Sequence, residues 1–195
     1  MWPWEHAVAG YLLYSLISRR VFGRPPGAAE TVVVVIASVL PDLIDKPLAW
    51  QFGVFESGYA IGHSIFFAFP VVLAVGIVSH RAGRTDCGLA FAIGYLAHLP
   101  ADVLDAYFRS GVFHYELMLW PFTSPIKAPS DQTFLGEVMH HLTRYHAELT
   151  ASDPSLYLVA MIGIGVGTIV LWILDGMPVL REIIVWVRKA GPGRS

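Results

Sequence analysis

Residues 156–174, LYLVAMIGIGVGTIVLWIL, contain no charged side chain. In lipid such a stretch must satisfy every backbone N–H and C=O internally, which a helix does and a lone strand cannot. At 1.5 Å per residue it reaches about 29 Å, close to the ~30 Å of a bilayer's hydrocarbon core. Four further apolar stretches run over 4–18, 28–45, 62–79 and 88–108. TVVVVIASVL has strand propensity, yet between helical neighbours it reads as helix. The expectation is an all-α, multi-pass transmembrane helical bundle of about five spans, in a single membrane domain covering 1–195.

Composition agrees: 55% of the residues are hydrophobic and 14% charged, against about 25% charged in an ordinary soluble domain. The net charge of −2, with no dense Lys/Arg stripe, argues against a nucleic-acid partner. No protein partner is evident, and membrane lipid is the expected surroundings and possible substrate. Cys87 is the sole cysteine, which removes internal disulfides and thiolate-based zinc clusters. The start MWPWEHAVAG lacks the basic region of a secretory signal.

Charge orients the spans. Arg19, Arg20, Arg24, Arg81, Arg84, Arg181, Arg188, Lys189 and Arg194 fall on one side, and Lys46, Arg109, Lys127 and Arg144 on the other. The positive-inside tendency then puts the N-terminus outside and the C-terminus in the cytoplasm of a cell-membrane protein. The tail 177–195 has the pattern of an interfacial amphipathic helix. The outer loop 109–155 is long enough to expect a function. Within it, Phe134, Val138, Leu142, Tyr145 and Leu149 share one helical face, which suits an amphipathic helix on the membrane or over the bundle mouth.

The polar residues inside the apolar runs are the functional signal. His98, Asp102 and Asp105 are spaced i, i+4, i+7 and share one helix face; Asp42 and Asp45, at i and i+3, are neighbours. Counting rise along each span puts His6, Asp42, Asp45, His63, His98 and Asp102 at about 20–26 Å above the basic side. Singly, each has an ordinary reading. Asp42 can cap a turn after Pro41, His6 can sit in an aromatic belt with Trp2 and Trp4, His63 can start a helix at the interface, and Asp102 and Asp105 can end a frayed one. Four helices agreeing on one depth favour a shared site, because a carboxylate in hydrocarbon must meet a cation. Imidazole and carboxylate ligands suit zinc first, then manganese or iron, as one ion or two. His80, His114, His140, His141 and His146 read as solvated.

The ordered set of His6, PDxxD (Asp42, Asp45), GHS (His63, Ser64), GYLAHLPAD (His98, Asp102) and LWPF (119–122) resembles the membrane-bound metal-dependent hydrolase family of the YdjM type, over about residues 1–125. The order His, Asp, His, HxxxD is distantly similar to the zinc-dependent phospholipase C bundles. Their later HxxxE step has no clean equivalent here, since Glu137 to His141 runs the other way. The resemblance implies His6, Asp42, His63, His98 and Asp102 as metal ligands, Asp102 bridging two ions. Asp45 or Asp105 would be the general base or the partner orienting a ligand imidazole. The expected activity is hydrolysis of a lipid phosphoester at the outer leaflet, with Trp120 and Phe122 covering the site. The alternatives are a structural or metal-binding protein without catalysis and, against the apolar inner halves of the spans, a cation or proton transporter.

Overall fold

The computed structural model describes residues 1–123, 134–151 and 155–190. Lys127 and Arg194, used above to orient the chain, lie outside them. The described residues form seven α-helices and no strand: α1 (Pro3–Val21), α2 (Ala28–Trp50), α3 (Ile65–Arg81), α4 (Thr85–Ser110), α5 (Phe134–Leu149), α6 (Leu156–Leu174) and α7 (Leu180–Ala190), with a 3-10 turn at Tyr115–Met118. The expected segments correspond to α1, α2, α3, α4 and α6, and the amphipathic segments to α5 and α7.

Local chemistry sets the starts. Pro3 opens α1 where its missing N–H costs nothing, and the Glu5 carboxylate accepts from the Trp2 N–H at 2.8 Å. Glu30 does the same for the Gly27 N–H ahead of α2, at 3.1 Å. Only α4 and α6 are both long and apolar enough to cross a membrane by length and composition. α3 is as apolar but has 17 residues, about 26 Å of helix. In α1 and α2 the polar residues that build the site and the ion pairs lower the hydropathy.

α1, α2 and α4 approach one another closely where glycines face the neighbouring helix. A Cβ on Gly94 would lie 2.6 Å from the Val34 carbonyl oxygen, and one on Gly10 would lie 1.9 Å from Ser38 Oγ. Each glycine is one helical turn from a site histidine, Gly10 from His6 and Gly94 from His98. The close backbone approach therefore draws the two imidazoles together. Beneath them lie two apolar layers, Ala37, Ala68, Tyr95 and Leu99, then Tyr11, Tyr14, Val34 and Ala90. Outward, the helices present a belt of exposed apolar side chains, among them Phe69, Leu73, Val78, Ile169 and Leu174. A patch that large needs an apolar solvent or partner.

At the basic end, buried carboxylates tie the helices. Asp175, after α6, accepts from Tyr11 Oη and Ser15 Oγ at 2.7 Å each and pairs with Arg19. Glu30 accepts from Tyr14 Oη at 2.9 Å and from Arg24, which also pairs with Asp86 at 3.0 Å. The polarity pattern did not expose this layer, because Glu30 and Asp175 sit at the ends of apolar runs where a solvated charge is ordinary.

α5 lies over the opposite end of the bundle through fewer apolar residues than its spacing suggested. Tyr145 packs against Trp2 and Trp4 (ring centroids 5.6 and 5.7 Å), and His141 against Trp2 and Trp50 (6.2 and 6.0 Å). Leu142 and Leu149 are exposed instead. His141 is thus a contact of the mouth, and partial desolvation there lowers its pKa. His80 is exposed and meets Thr85, and His114 pairs with Glu116 at 2.6 Å.

Candidate metal centre

Four donor atoms, from Asp42, His63, His98 and Asp102, converge within 4.8 Å of one another, and all four residues are buried. Asp42 comes from α2, His98 and Asp102 from α4, and His63 from the segment before α3.

Each imidazole is aimed from behind. Pro41 removes the N–H that would bond the Ala37 carbonyl, loosening α2 beside Ser38. The Ser38 carbonyl accepts from His98 Nδ1 at 2.7 Å. His63 Nδ1 donates to Asp45 Oδ2 at 2.8 Å. Asp45 is itself fixed by the N–H groups of Ala60 (2.7 Å), Gly62 (2.8 Å) and His63 (3.0 Å). Gly62 fits only without a side chain, since a Cβ there would lie 2.8 Å from the Pro41 carbonyl oxygen. From the other side, Tyr95 Oη donates to the Gly62 carbonyl at 2.8 Å.

With both Nδ1 atoms donating, each neutral imidazole turns an unprotonated Nε2 inward. Those two Nε2 atoms are 3.0 Å apart. Two lone pairs at that separation require a cation between them, a proton or a metal ion. The carboxylates complete the polygon. Asp42 Oδ1 lies 3.4 Å from His63 Nε2 and 3.7 Å from His98 Nε2; Asp102 Oδ2 lies 3.4 Å from both. A tetrahedral ion bonded at about 2.0–2.2 Å sets its donors about 3.3–3.6 Å apart. Three of these separations fall in that range and the other two lie just outside it, so the four side chains could hold a divalent cation. Both oxygens of buried Asp42 also lack a hydrogen bond, although Lys46 Nζ approaches Oδ1.

His6 stacks on His98 (centroids 3.7 Å, planes at 21°), and its Nε2 lies 3.1 Å from Asp102 Oδ1. It therefore stands beside the four-donor group, on the far oxygen of the same carboxylate, and neither ring nitrogen has a hydrogen bond. Asp105 lies outside the group as well, with Oδ1 3.0 Å from Arg109 Nε and Oδ2 3.1 Å from the Met1 amino nitrogen. That same nitrogen is 3.0 Å from Asp102 Oδ1.

Two residues join the site without having been singled out from the sequence. Lys46 Nζ lies 2.6 Å from Asp42 Oδ1, and its i, i+4 spacing from Asp42 was a readable signal. Tyr59 packs its ring on His63 at 4.8 Å; the Asp102 carboxylate, with burial, pushes its phenol well above the usual range, so it stays a donor. Beyond Tyr59 is a cavity of about 260 Å³, lined also by Phe55, Glu56, Ser57 and Trp120. Trp120 flanks that cavity through Phe55, while its carbonyl accepts from Ser64 Oγ at 2.6 Å. Phe122 packs on Phe66 and faces outward.

Searches of curated proteins and of solved structures gave no match. Residues 1–178, which include α1 to α6 and the whole cluster, match the family described as YdjM inner membrane protein. With its two long apolar helices, the chain is therefore a membrane protein that belongs to the YdjM inner membrane protein family.

Proposed function

We propose that the chain is a metal-dependent hydrolase embedded in the membrane by α1, α2, α3, α4 and α6, cleaving a lipid phosphoester at the outer leaflet. Its N-terminus would lie outside and its C-terminus in the cytoplasm, because Arg19, Arg24, Arg81 and Arg84 gather at the end opposite the cluster. The observation that carries the reading is the donor geometry: two inward Nε2 atoms and two carboxylate oxygens at metal-ligand separations, with further donors continuing beside them. Asp42, His63, His98 and Asp102 would hold a divalent ion, zinc by ligand type. His6 on the other face of Asp102 would serve a second. Bound there, the metal would lower the pKa of a water and offset charge on phosphoryl oxygens.

The protein's own groups divide the remaining work. Asp45 has its oxygens filled by three amides and the His63 ring, so it orients that imidazole rather than taking a proton. Asp105, whose oxygens meet Arg109 and the Met1 amino group, would be the carboxylate left to act as general base. Tyr59, which lines the cavity, would donate toward the reacting group, and the apolar layers of Ala37, Leu99 and Tyr95 keep water from entering below.

A purely structural site is the second reading, favoured by the closed set of four protein donors. Hydrolysis of a phospholipid and lipid-phosphate panel by purified protein, with and without chelator, decides between them. The hydrolase reading expects chelator-sensitive turnover that is lost in D105N with metal content retained. A metal-loaded protein that cleaves nothing supports the structural site.

A further inference from the structure

We propose that Lys46 is an exchangeable counter-ion of the centre: its ammonium neutralises Asp42 until a metal ion arrives, then contacts the phosphate of the incoming substrate. The inference deepens the hydrolase reading and rests on the cluster being a metal site.

Lys46 Nζ approaches Asp42 Oδ1, the same oxygen that faces His63 Nε2 and His98 Nε2. The ammonium thus rests on a metal-facing donor atom. It does so from outside hydrogen-bond geometry, since both Asp42 oxygens lack a hydrogen bond despite the 2.6 Å approach. The pairing is therefore one of charge and carries little directional hold. A divalent ion bonded to that oxygen would face a like charge at contact distance, which drives the two apart.

The side chain has somewhere to go. It is 19% exposed, whereas that of Asp42 is 3% exposed, so the ammonium lies on the mouth side of the carboxylate. Its stem passes Gly58, and Nζ is 5.8 Å from the Trp50 ring, whose face offers a cation a resting place. Trp50 and His141 meet at that mouth. Beside the cluster, Arg109 is held by Asp105 and Glu148, and the Met1 amino group by Asp102 and Asp105. A displaced Lys46 then brings a cation to the entrance, and an ammonium on a flexible stem suits a phosphate group as a point charge.

The test uses full-length protein in detergent, as wild type, K46M and K46R, with zinc affinity read by competition against a chelating indicator. K46M is expected to bind zinc about tenfold or more tightly, the scale on which one neighbouring charge moves an ionic equilibrium. K46R should stay near wild type. Zinc-loaded K46M should bind inorganic phosphate and dihexanoyl phosphatidic acid about tenfold or more weakly, with K46R recovering part of the loss. Binding of the lipid alone would identify a headgroup site, and binding of both a phosphate site. Zinc affinity that is unchanged or weaker in K46M, or phosphate-group binding that does not change, overturns the proposal. Wild type that takes up no zinc overturns the metal reading itself, and zinc-loaded protein that passes both binding tests yet cleaves nothing overturns only the hydrolase reading.

Discussion

At the basic end of the bundle, Asp175 meets Arg19, Tyr11 and Ser15, and Glu30 meets Arg24 and Tyr14. At the site end, Asp42 keeps two buried oxygens without a hydrogen bond, and His6 two ring nitrogens. Both ends bury carboxylates at helix contacts, so burial alone does not distinguish them. Partner supply does. The basic end closes its charges with permanent cations and hydroxyls and acts as a clasp. The site end sets cations only on the outer side of its carboxylates, Lys46 on Asp42 and the Met1 amino group on Asp102, while two imidazole Nε2 atoms face each other inside at 3.0 Å. That is the difference between a structural polar layer and a cation site.

The comparison breaks most visibly in a crossed pair of substitutions. H98A should lose more than about 100-fold in metal affinity, beyond the 10–100-fold typical of outer-shell partners, while chelated protein keeps its denaturation midpoint. D175A should do the reverse. It leaves Tyr11 and Ser15 unpaired and costs about 3–5 kcal/mol, read as a lower unfolding midpoint in detergent, with metal stoichiometry preserved. If D175A strips the metal, or H98A unfolds the chelated protein, the two layers do not have separate roles.

A smaller effect sharpens the role of Asp45. D45N keeps the shape but weakens three amide bonds and the grip on His63 Nδ1, so metal affinity should fall about 10–100-fold without loss of stoichiometry at saturation. Complete loss of metal would make Asp45 a ligand instead. The smallest effect is at the rim of the clasp. Arg24, with its side chain 44% exposed, pairs with Glu30 and Asp86 in contact with solvent, so R24Q should cost no more than about 1 kcal/mol.

Much of the site was readable in the sequence because helical rise converts residue number into depth. His6, Asp42, His63, His98 and Asp102 share a layer by counting alone, and the structure brings them side by side. The i, i+4 spacing of His98 and Asp102 needed only that α4 be a helix. What counting does not provide is the back of each imidazole. Asp45 reads as one of two acidic residues on a helix face, yet its partners are amides of the 60–63 segment, whose path follows from Gly62 fitting against the Pro41 carbonyl. Tyr59 lies in that same irregular segment, where periodicity carries no information. The face of α5 that docks is His141 and Tyr145 rather than its leucines, because the mouth it covers is aromatic, formed by Trp2, Trp4 and Trp50. The clasp leaves no such pattern, since end-of-helix charges look solvated until tertiary packing buries them.

X-ray absorption at the metal edge of purified, metal-loaded protein decides whether His63, His98, Asp42 and Asp102 hold a divalent cation. Expected is a first shell of two imidazole nitrogens and carboxylate oxygens at about 2.0–2.2 Å, with the imidazole scattering halved in H98A. A first shell without imidazole, or one left unchanged by H98A, would contradict it.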